Sequence, residues 1–293
     1  MTKSIDEFSE ILQRDFPLSS VTWLRTGGNA EHYLSPRTEE ELCEVVASSR
    51  AAGLPIHVLG SGSNLLVRDE GVRGVVIRIA EPLLCELRVT DTRLEAGGAC
   101  QLSHVVSEAA RAGLGGLEHL VGIPGTLGGA IVGNSGGRHG DIGQVVKSVR
   151  VLTQDGQVAE RGGDELSFSY RRSAIQDLVI LGATLELVRD DSEELLQRIR
   201  RNWIMKRSTQ PLADQSAGCI FRNPRGLSAG ALIEQSGLKG ATCGKARVSD
   251  RHANFIVTDE GAVSADVLGL IEQIQQGVSE KFSVDLDLEI KVW

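Results

Sequence analysis

The clearest hydrophobic period in the chain lies at 265–282, where Val267, Leu270, Ile271, Ile274 and Val278 share one helical face. The period then changes. Val284, Leu286, Leu288, Ile290 and Val292 alternate with Asp285, Asp287, Glu289 and Lys291, which predicts an antiparallel strand with one apolar and one polar face. A helix is predicted near 38–53, with Thr38 and Glu41 at capping-box spacing, Leu42, Val45 and Val46 on one face, and Gly53 as the C-terminal cap. Strands follow at 56–59 and 75–79. A second helix spans 102–113 with Leu102, Val105, Val106 and Ala109 inward, and further strands fall near 146–153, 157–160 and 178–188. Asp191 and Glu194 open another helix, whose face continues through Leu195, Leu196, Ile199 and Trp203, and a shorter helix covers 229–236. Residues 1–20 read as a short leading helix and a loop. The pattern is α+β in three pieces, bounded near residues 80 and 190.

Composition narrows the class. The 293 residues are 41% hydrophobic and 24% charged, as in an ordinary soluble globular protein, and exceed what one core usually organises. A net charge of −8 argues against nucleic-acid binding through a broad basic surface. Cys43, Cys85, Cys100, Cys219 and Cys243 are odd in number and form no CxxC pair, so neither a zinc site nor a disulfide framework is expected. The N-terminus lacks the apolar run of a signal peptide, and nowhere do eighteen apolar residues run together. The expectation is a cytoplasmic protein with no metal, nucleic-acid or membrane partner.

Glycine is the outlier, with 34 copies, half of them between Gly60 and Gly140. Gly60-Ser61-Gly62-Ser63-Asn64-Leu65 follows a strand, where exposed amides and Ser and Asn side chains suit a pyrophosphate. Leu65 occupies the third glycine position of the dinucleotide fingerprint, so the run is equally a tight structural turn. A second loop, Gly122-Ile123-Pro124-Gly125-Thr126-Leu127-Gly128-Gly129, is extended by Gly133 to Gly137. Two such loops favour an extended ligand held by backbone contacts, and a dinucleotide fits.

Thr26-Gly27-Gly28, the run at 60–67 and the run at 122–130 occur in an order that resembles the FAD-binding half of the MurB reductases, within the vanillyl-alcohol-oxidase-like flavoprotein fold. The likeness continues through Tyr170-Arg171-Arg172-Ser173, 216–224, 229–234, 252–256 and the segment bearing Glu289. It implies a two-part FAD-binding region (1–80 and 81–190) and a C-terminal α+β substrate-binding domain (191–293) whose last strand returns Glu289 to the active site. It further implies non-covalent FAD, NADPH as hydride donor, UDP-N-acetylglucosamine enolpyruvate as substrate, and a monomer or loose dimer. The compact Tyr170–Ser192 spacing matches the shorter family type.

The same resemblance implies the site residues. FAD falls to Gly60, Ser61, Gly62, Ser63, Asn64, Leu65, Gly122, Ile123, Pro124, Gly125, Thr126, Gly128 and Gly129. Arg171 matches the arginine beside the reacting carboxylate, a task suited to a permanently charged, two-pronged donor; by itself it is an ordinary surface arginine. Glu289 matches the glutamate that stabilises the enolic intermediate, although its polar-face position alone predicts a solvated carboxylate. Cys219 stands where most members of the family carry the proton-donating serine. A thiol keeps a transferable proton, and a buried structural cysteine is the alternative. Tyr170 matches a residue that contacts the substrate; Arg207, Arg222 and Asn223 lie near the start of the third piece, where nucleotide binding is expected, or else are helix-surface and turn residues. Lys245 and His252 are left without a role. Competing readings are a flavin oxidase or dehydrogenase of the same fold acting elsewhere, and a non-catalytic nucleotide-sugar binding protein.

Overall fold

The computed structural model of the chain describes residues 3–137 and 139–293. They form two compact units, neither of them a continuous stretch. Unit 1 gathers the chain up to Arg14, His32–Ser61 and Gly74–Met205; unit 2 gathers Asp15–Glu31, Gly62–Arg73 and Lys206–Trp293.

In unit 1, helix α1 (Glu39–Ala51) starts where Thr38 accepts the Glu41 N–H at 3.2 Å and stops at Gly53, whose φ of +67° suits a residue without Cβ. Its Leu42, Val45 and Val46 are buried with Val75, Ile77, Leu152 and Leu181. The following strand, Ile56–Leu59, runs parallel to Val75–Arg78. A five-stranded antiparallel sheet is ordered Val158–Gly162, Val146–Leu152, Val179–Glu186, Arg93–Gly97, Leu87–Thr90. Helix α2 (Leu102–Arg111) buries the predicted Leu102, Val105, Val106 and Ala109 in the same cluster as Leu94, Val149 and Leu185.

Three predictions for this unit need correction. The leading segment is a single 3₁₀ turn, Ile5–Glu7, followed by a strand, Leu12–Pro17. Ile5, Phe8 and Ile11 are all buried in one core, and their three-residue spacing imitates a helical face. The strands Leu87–Thr90 and Arg93–Gly97 were hidden because the first is largely exposed and shows little alternation. Most consequentially, Leu127–Val132 is not open loop but helix α3, capped by Thr126, which accepts from Gly129 N at 3.3 Å. Glycine is a poor helix former. Here tertiary bonds override propensity: Leu127 N donates to Cys100 O at 2.8 Å and Gly128 N to Gly98 O at 2.9 Å.

Helix α4 (Ser192–Thr209) begins with the Glu194 N–H on the Asp191 carboxylate at 2.9 Å. Only Leu195 of its face is fully buried; Leu196 and Trp203, read as inward, are exposed. Unit 2 is built on an antiparallel sheet ordered Gln215–Cys219, Phe255–Thr258, Ala246–Val248, Thr242–Cys243. Helices α5 (Ala229–Gln235) and α6 (Ser264–Phe282) share its core, with Val267, Leu270, Ile271, Ile274 and Val278 buried as their period requires. The C-terminal segment keeps its alternation, Leu286 and Ile290 being buried, yet it forms no long strand. Only Lys291–Val292 enters a ladder, parallel to Leu65–Leu66. Among the described residues no helix is long and apolar enough to cross a membrane, and no group of three metal-ligating side chains is disposed around a metal.

Candidate active site

Unit 1 brings the ends of the two glycine segments together. Strand Ile56–Leu59 delivers Gly60, and a Cβ built there would lie 3.1 Å from the Thr126 hydroxyl. A Cβ on Gly128 would meet the Gly98 carbonyl at the same distance. A Cβ would crowd both positions, so Gly60 lies close against Thr126, which joins the ends of the two glycine segments, while Gly128 packs on Gly98. Gly122 and Gly125 adopt φ of +76° and +123°, and Gly125 O accepts Leu102 N at 2.9 Å, which ties the loop to the start of α2. Pro124 and Ile123 are half-buried between them.

The far end of α3 carries the second feature. Tyr170 and Arg171 form the turn of a two-stranded hairpin, Phe168–Ser169 with Arg172–Ser173. Arg171 takes φ of +57°, and its guanidinium lies over the Tyr170 ring, 5.3 Å from the centroid. Asn134, 1% exposed, fastens this hairpin: its side-chain N–H donates to Ser169 O at 2.9 Å and its oxygen accepts Gly143 N at 3.0 Å. Ser173 adds a bond to the carbonyl of Val132, the last residue of α3, at 3.0 Å. Six helical residues rise about 9 Å, so one short helix sets the spacing between Thr126 and the Arg171 hairpin. From the sequence Asn134 belongs only to a glycine-rich surface; in the structure it takes φ +42°, a conformation asparagine tolerates.

Unit 2 gathers Asn64, Cys219 and Glu289. The ladder slips between Ser216 and Cys219, with Gly218 at φ +78°, a bulge that re-aims the next side chain, that of Cys219. Glu289 N donates to Ile220 O at 2.8 Å, and Asn64 donates to Glu289 O at 3.4 Å. Glu289 is therefore half-buried beside the residue following Cys219, not on the solvated face that alternation alone suggests. Lys291 N donates to Asn64 O at 3.0 Å, so the Ser63-Asn64-Leu65 segment is tied to the C-terminal segment. Gly62, at φ +68°, packs on the Val21 carbonyl.

Against this geometry stand the comparisons with known proteins. Residues 30–162 match the family model of an FAD binding domain, and 210–293 that of the UDP-N-acetylenolpyruvoylglucosamine reductase C-terminal domain. The UDP-N-acetylenolpyruvoylglucosamine reductase of Heliobacterium modesticaldum is 40% identical over 295 residues, covering 100% of this chain and 94% of its own. The chain belongs to the UDP-N-acetylenolpyruvoylglucosamine reductase family. The crystal structure of the reductase from Thermus caldophilus superposes with a TM-score of 0.81 at 39% identity, covering 96% of this chain and 98% of its own. A glucose dehydrogenase, Phl p 4.0202, shares the fold alone: TM-score 0.51 at 15% identity, over 63% of this chain and 43% of its own. This member of the reductase family is thus an FAD-dependent oxidoreductase with the vanillyl-alcohol-oxidase-like FAD-binding fold.

The other predicted residues of this reductase-family chain are more scattered. Arg222 N donates to Asp287 O at 2.8 Å, while its half-buried side chain leaves Nε without a partner among the described residues. Asn223 accepts Ala229 N at 2.9 Å and so caps α5. Arg207 is exposed in the last turn of α4, and Tyr170 is 52% exposed. Lys245 is structural: its ammonium donates to Glu260 O at 2.8 Å and its N–H to Asp266 at 3.1 Å, closing the turn before α6. His252 accepts the Asn254 N–H at 3.2 Å through Nδ1 and meets Phe255 edge-on; burial pushes its pKa down and keeps it neutral.

Proposed function

We propose that the chain catalyses NADPH-dependent, FAD-mediated reduction of UDP-N-acetylglucosamine enolpyruvate to UDP-N-acetylmuramate, a step of peptidoglycan-precursor synthesis. The observation that carries the reading is the hydrogen bond from Glu289 N to Ile220 O, which brings the half-buried residue Glu289 beside the segment bearing Cys219, in a chain with an FAD binding domain. The close approach of Gly60 to Thr126, which brings the two glycine segments together, fits the cofactor, which Gly60 to Leu65 and Gly122 to Gly129 would hold. When bound, FAD would supply the hydride chemistry, transfer from NADPH to the methylene carbon of the enolpyruvyl group.

The protein side of the reaction is proton and charge management. Arg171 holds the substrate carboxylate, and the backbone bonds of its hairpin keep the guanidinium in place. Hydride arrival at the methylene carbon leaves electron density on the adjacent carbon and the carboxylate. Glu289 stabilises the resulting enol by a hydrogen bond. The Cys219 Sγ–H then gives its proton to the adjacent carbon, forming the C–H bond of the lactyl ether; the thiolate recovers a proton from water. Tyr170, Arg207, Arg222 and Asn223 bind the nucleotide-sugar.

An anaerobic two-step experiment tests this. NADPH should bleach the bound flavin, and the enolpyruvyl substrate should restore the oxidised spectrum with formation of the lactyl ether. Bleaching followed by recovery only with oxygen would reject the substrate and favour an oxidase.

A further inference from the structure

Among the described residues Arg78 is a cation without a counter-charge. It ends the strand Val72–Arg78, opposite Leu59 in parallel register, and one of its N–H groups donates to the Gly60 carbonyl. Its side chain is half-buried, and burial pushes its pKa down, opposed only by the nearby phenol of Tyr33. No carboxylate pairs with it among the described residues. Two other half-buried arginines of unit 1 are different: Arg161 is paired with Asp177 at 3.1 Å, and Arg198 with Asp190. Guanidinium stays charged in proteins, so burying one without a partner is unfavourable until an anion arrives.

Its position says which anion. Arg78 holds the first residue of the Gly60–Asn64 run, at the point where Gly60 approaches the Thr126 hydroxyl. The oxidised isoalloxazine ring is neutral; the fixed negative charge of FAD is its diphosphate. The guanidinium fork matches phosphate oxygens, and one N–H on Gly60 O leaves the other donors for them. We propose that Arg78 is the counter-charge for the diphosphate of bound FAD, anchoring Gly60 with one N–H and serving the phosphate oxygens with the rest. The assignment rests on the chain's being a flavoprotein, and it adds a binding residue outside both glycine runs.

The test uses flavin-free full-length protein and the variants Arg78→Lys, Arg78→Gln and Arg78→Met. FAD is titrated by fluorescence at low and high ionic strength, each form is melted with and without FAD, and the reduction potential of bound flavin is measured. Arg78→Gln and Arg78→Met should weaken FAD binding roughly 10- to 100-fold and flatten its salt dependence. Arg78→Lys should recover most of the loss. Without FAD, Arg78→Met should melt no lower than the parent, because an uncompensated charge has gone, while the FAD-induced rise in melting temperature shrinks. Full FAD affinity in Arg78→Gln would reduce the arginine to a hydrogen bond on Gly60 and overturn the proposal. So would a lowered flavin potential with unchanged FAD affinity, which assigns the charge to the reduced ring. A marked loss of flavin-free stability in all three variants would make the role structural. Failure of the parent itself to bind FAD would defeat the flavoprotein reading, an outcome distinct from the other three.

Discussion

Replacing Asn134 by alanine should loosen the Arg171 hairpin without disturbing the glycine segments that meet at Gly60 and Thr126. Asn134 is 1% exposed and makes two bonds, to Ser169 O at 2.9 Å and from Gly143 N at 3.0 Å. Each contributes about 1 kcal/mol net, and alanine at φ +42° costs about 1 kcal/mol more than asparagine there. The loss should therefore be about 3 kcal/mol, or a fall in melting temperature of about 6–12 °C. Asn134→Gly removes the bonds but not the backbone conformation, and should lose about 1 kcal/mol less than Ala, before the entropy of glycine in the unfolded chain is counted. Because the bonds fasten Ser169 and not Gly60, FAD affinity should stay within about threefold, while kcat/KM for the enolpyruvyl substrate falls about 10- to 100-fold through misplacement of Arg171. Urea denaturation, FAD titration and steady-state kinetics on the same preparations read all three quantities. A stability loss below about 1 kcal/mol, or FAD affinity falling in step with kcat/KM, would refute the idea that Asn134 serves the hairpin.

Cys219→Ser should retain turnover within about tenfold, whereas Cys219→Ala should slow flavin reoxidation by the substrate at least about 100-fold with NADPH bleaching intact; equal slowing of both half-reactions would remove Cys219 from the proton step. A Cβ on Gly98 would lie 1.9 Å from the Ile180 carbonyl oxygen, so Gly98→Ala should cost more than about 3 kcal/mol in urea denaturation, while Gly137→Ala, with open space around it, should stay within about 0.5 kcal/mol. Burial holds the His252 pKa below its ordinary 6.5, so the unfolded chain takes up that proton first as pH falls. Its stabilising contribution is complete above about pH 6.5 and is lost as pH falls through the depressed value. Between about pH 8 and pH 5 the parent should lose more stability than His252→Gln, and parallel pH profiles would contradict this.

Local pattern carried a large part of this molecule. Helices α1, α2 and α6 were legible because each has a full apolar stripe, and α1 has its cap at Thr38 and its stop at Gly53. Ile56–Leu59 and Val179–Glu186 were legible as apolar runs of strand length. Helix α3 was not, since its glycines argue against a helix and the bonds that fix Leu127 and Gly128 come from Cys100 and Gly98, well removed in sequence. Leu196 and Trp203 misled for the converse reason: a helical stripe was present, but only part of it found a core. In the candidate site, the glycine runs and the Arg171, Cys219 and Glu289 positions were reached through ordered motifs. Arg78 and Asn134 lie in segments whose own pattern says nothing of what they hold.

By itself the sequence determined the family, the flavin fold, the helices with complete apolar faces and the side chains available for chemistry, because these depend on residue types and spacings along the chain. The tertiary structure alone decided that each unit is assembled from separated segments, that Gly60 approaches Thr126, that Asn134 fastens the Arg171 hairpin, and that Glu289, half-buried, is held beside Ile220. Each of these is a contact across a large sequence separation. Its free energy comes from burial and hydrogen bonds between residues whose local patterns are independent, so no window along the chain contains it.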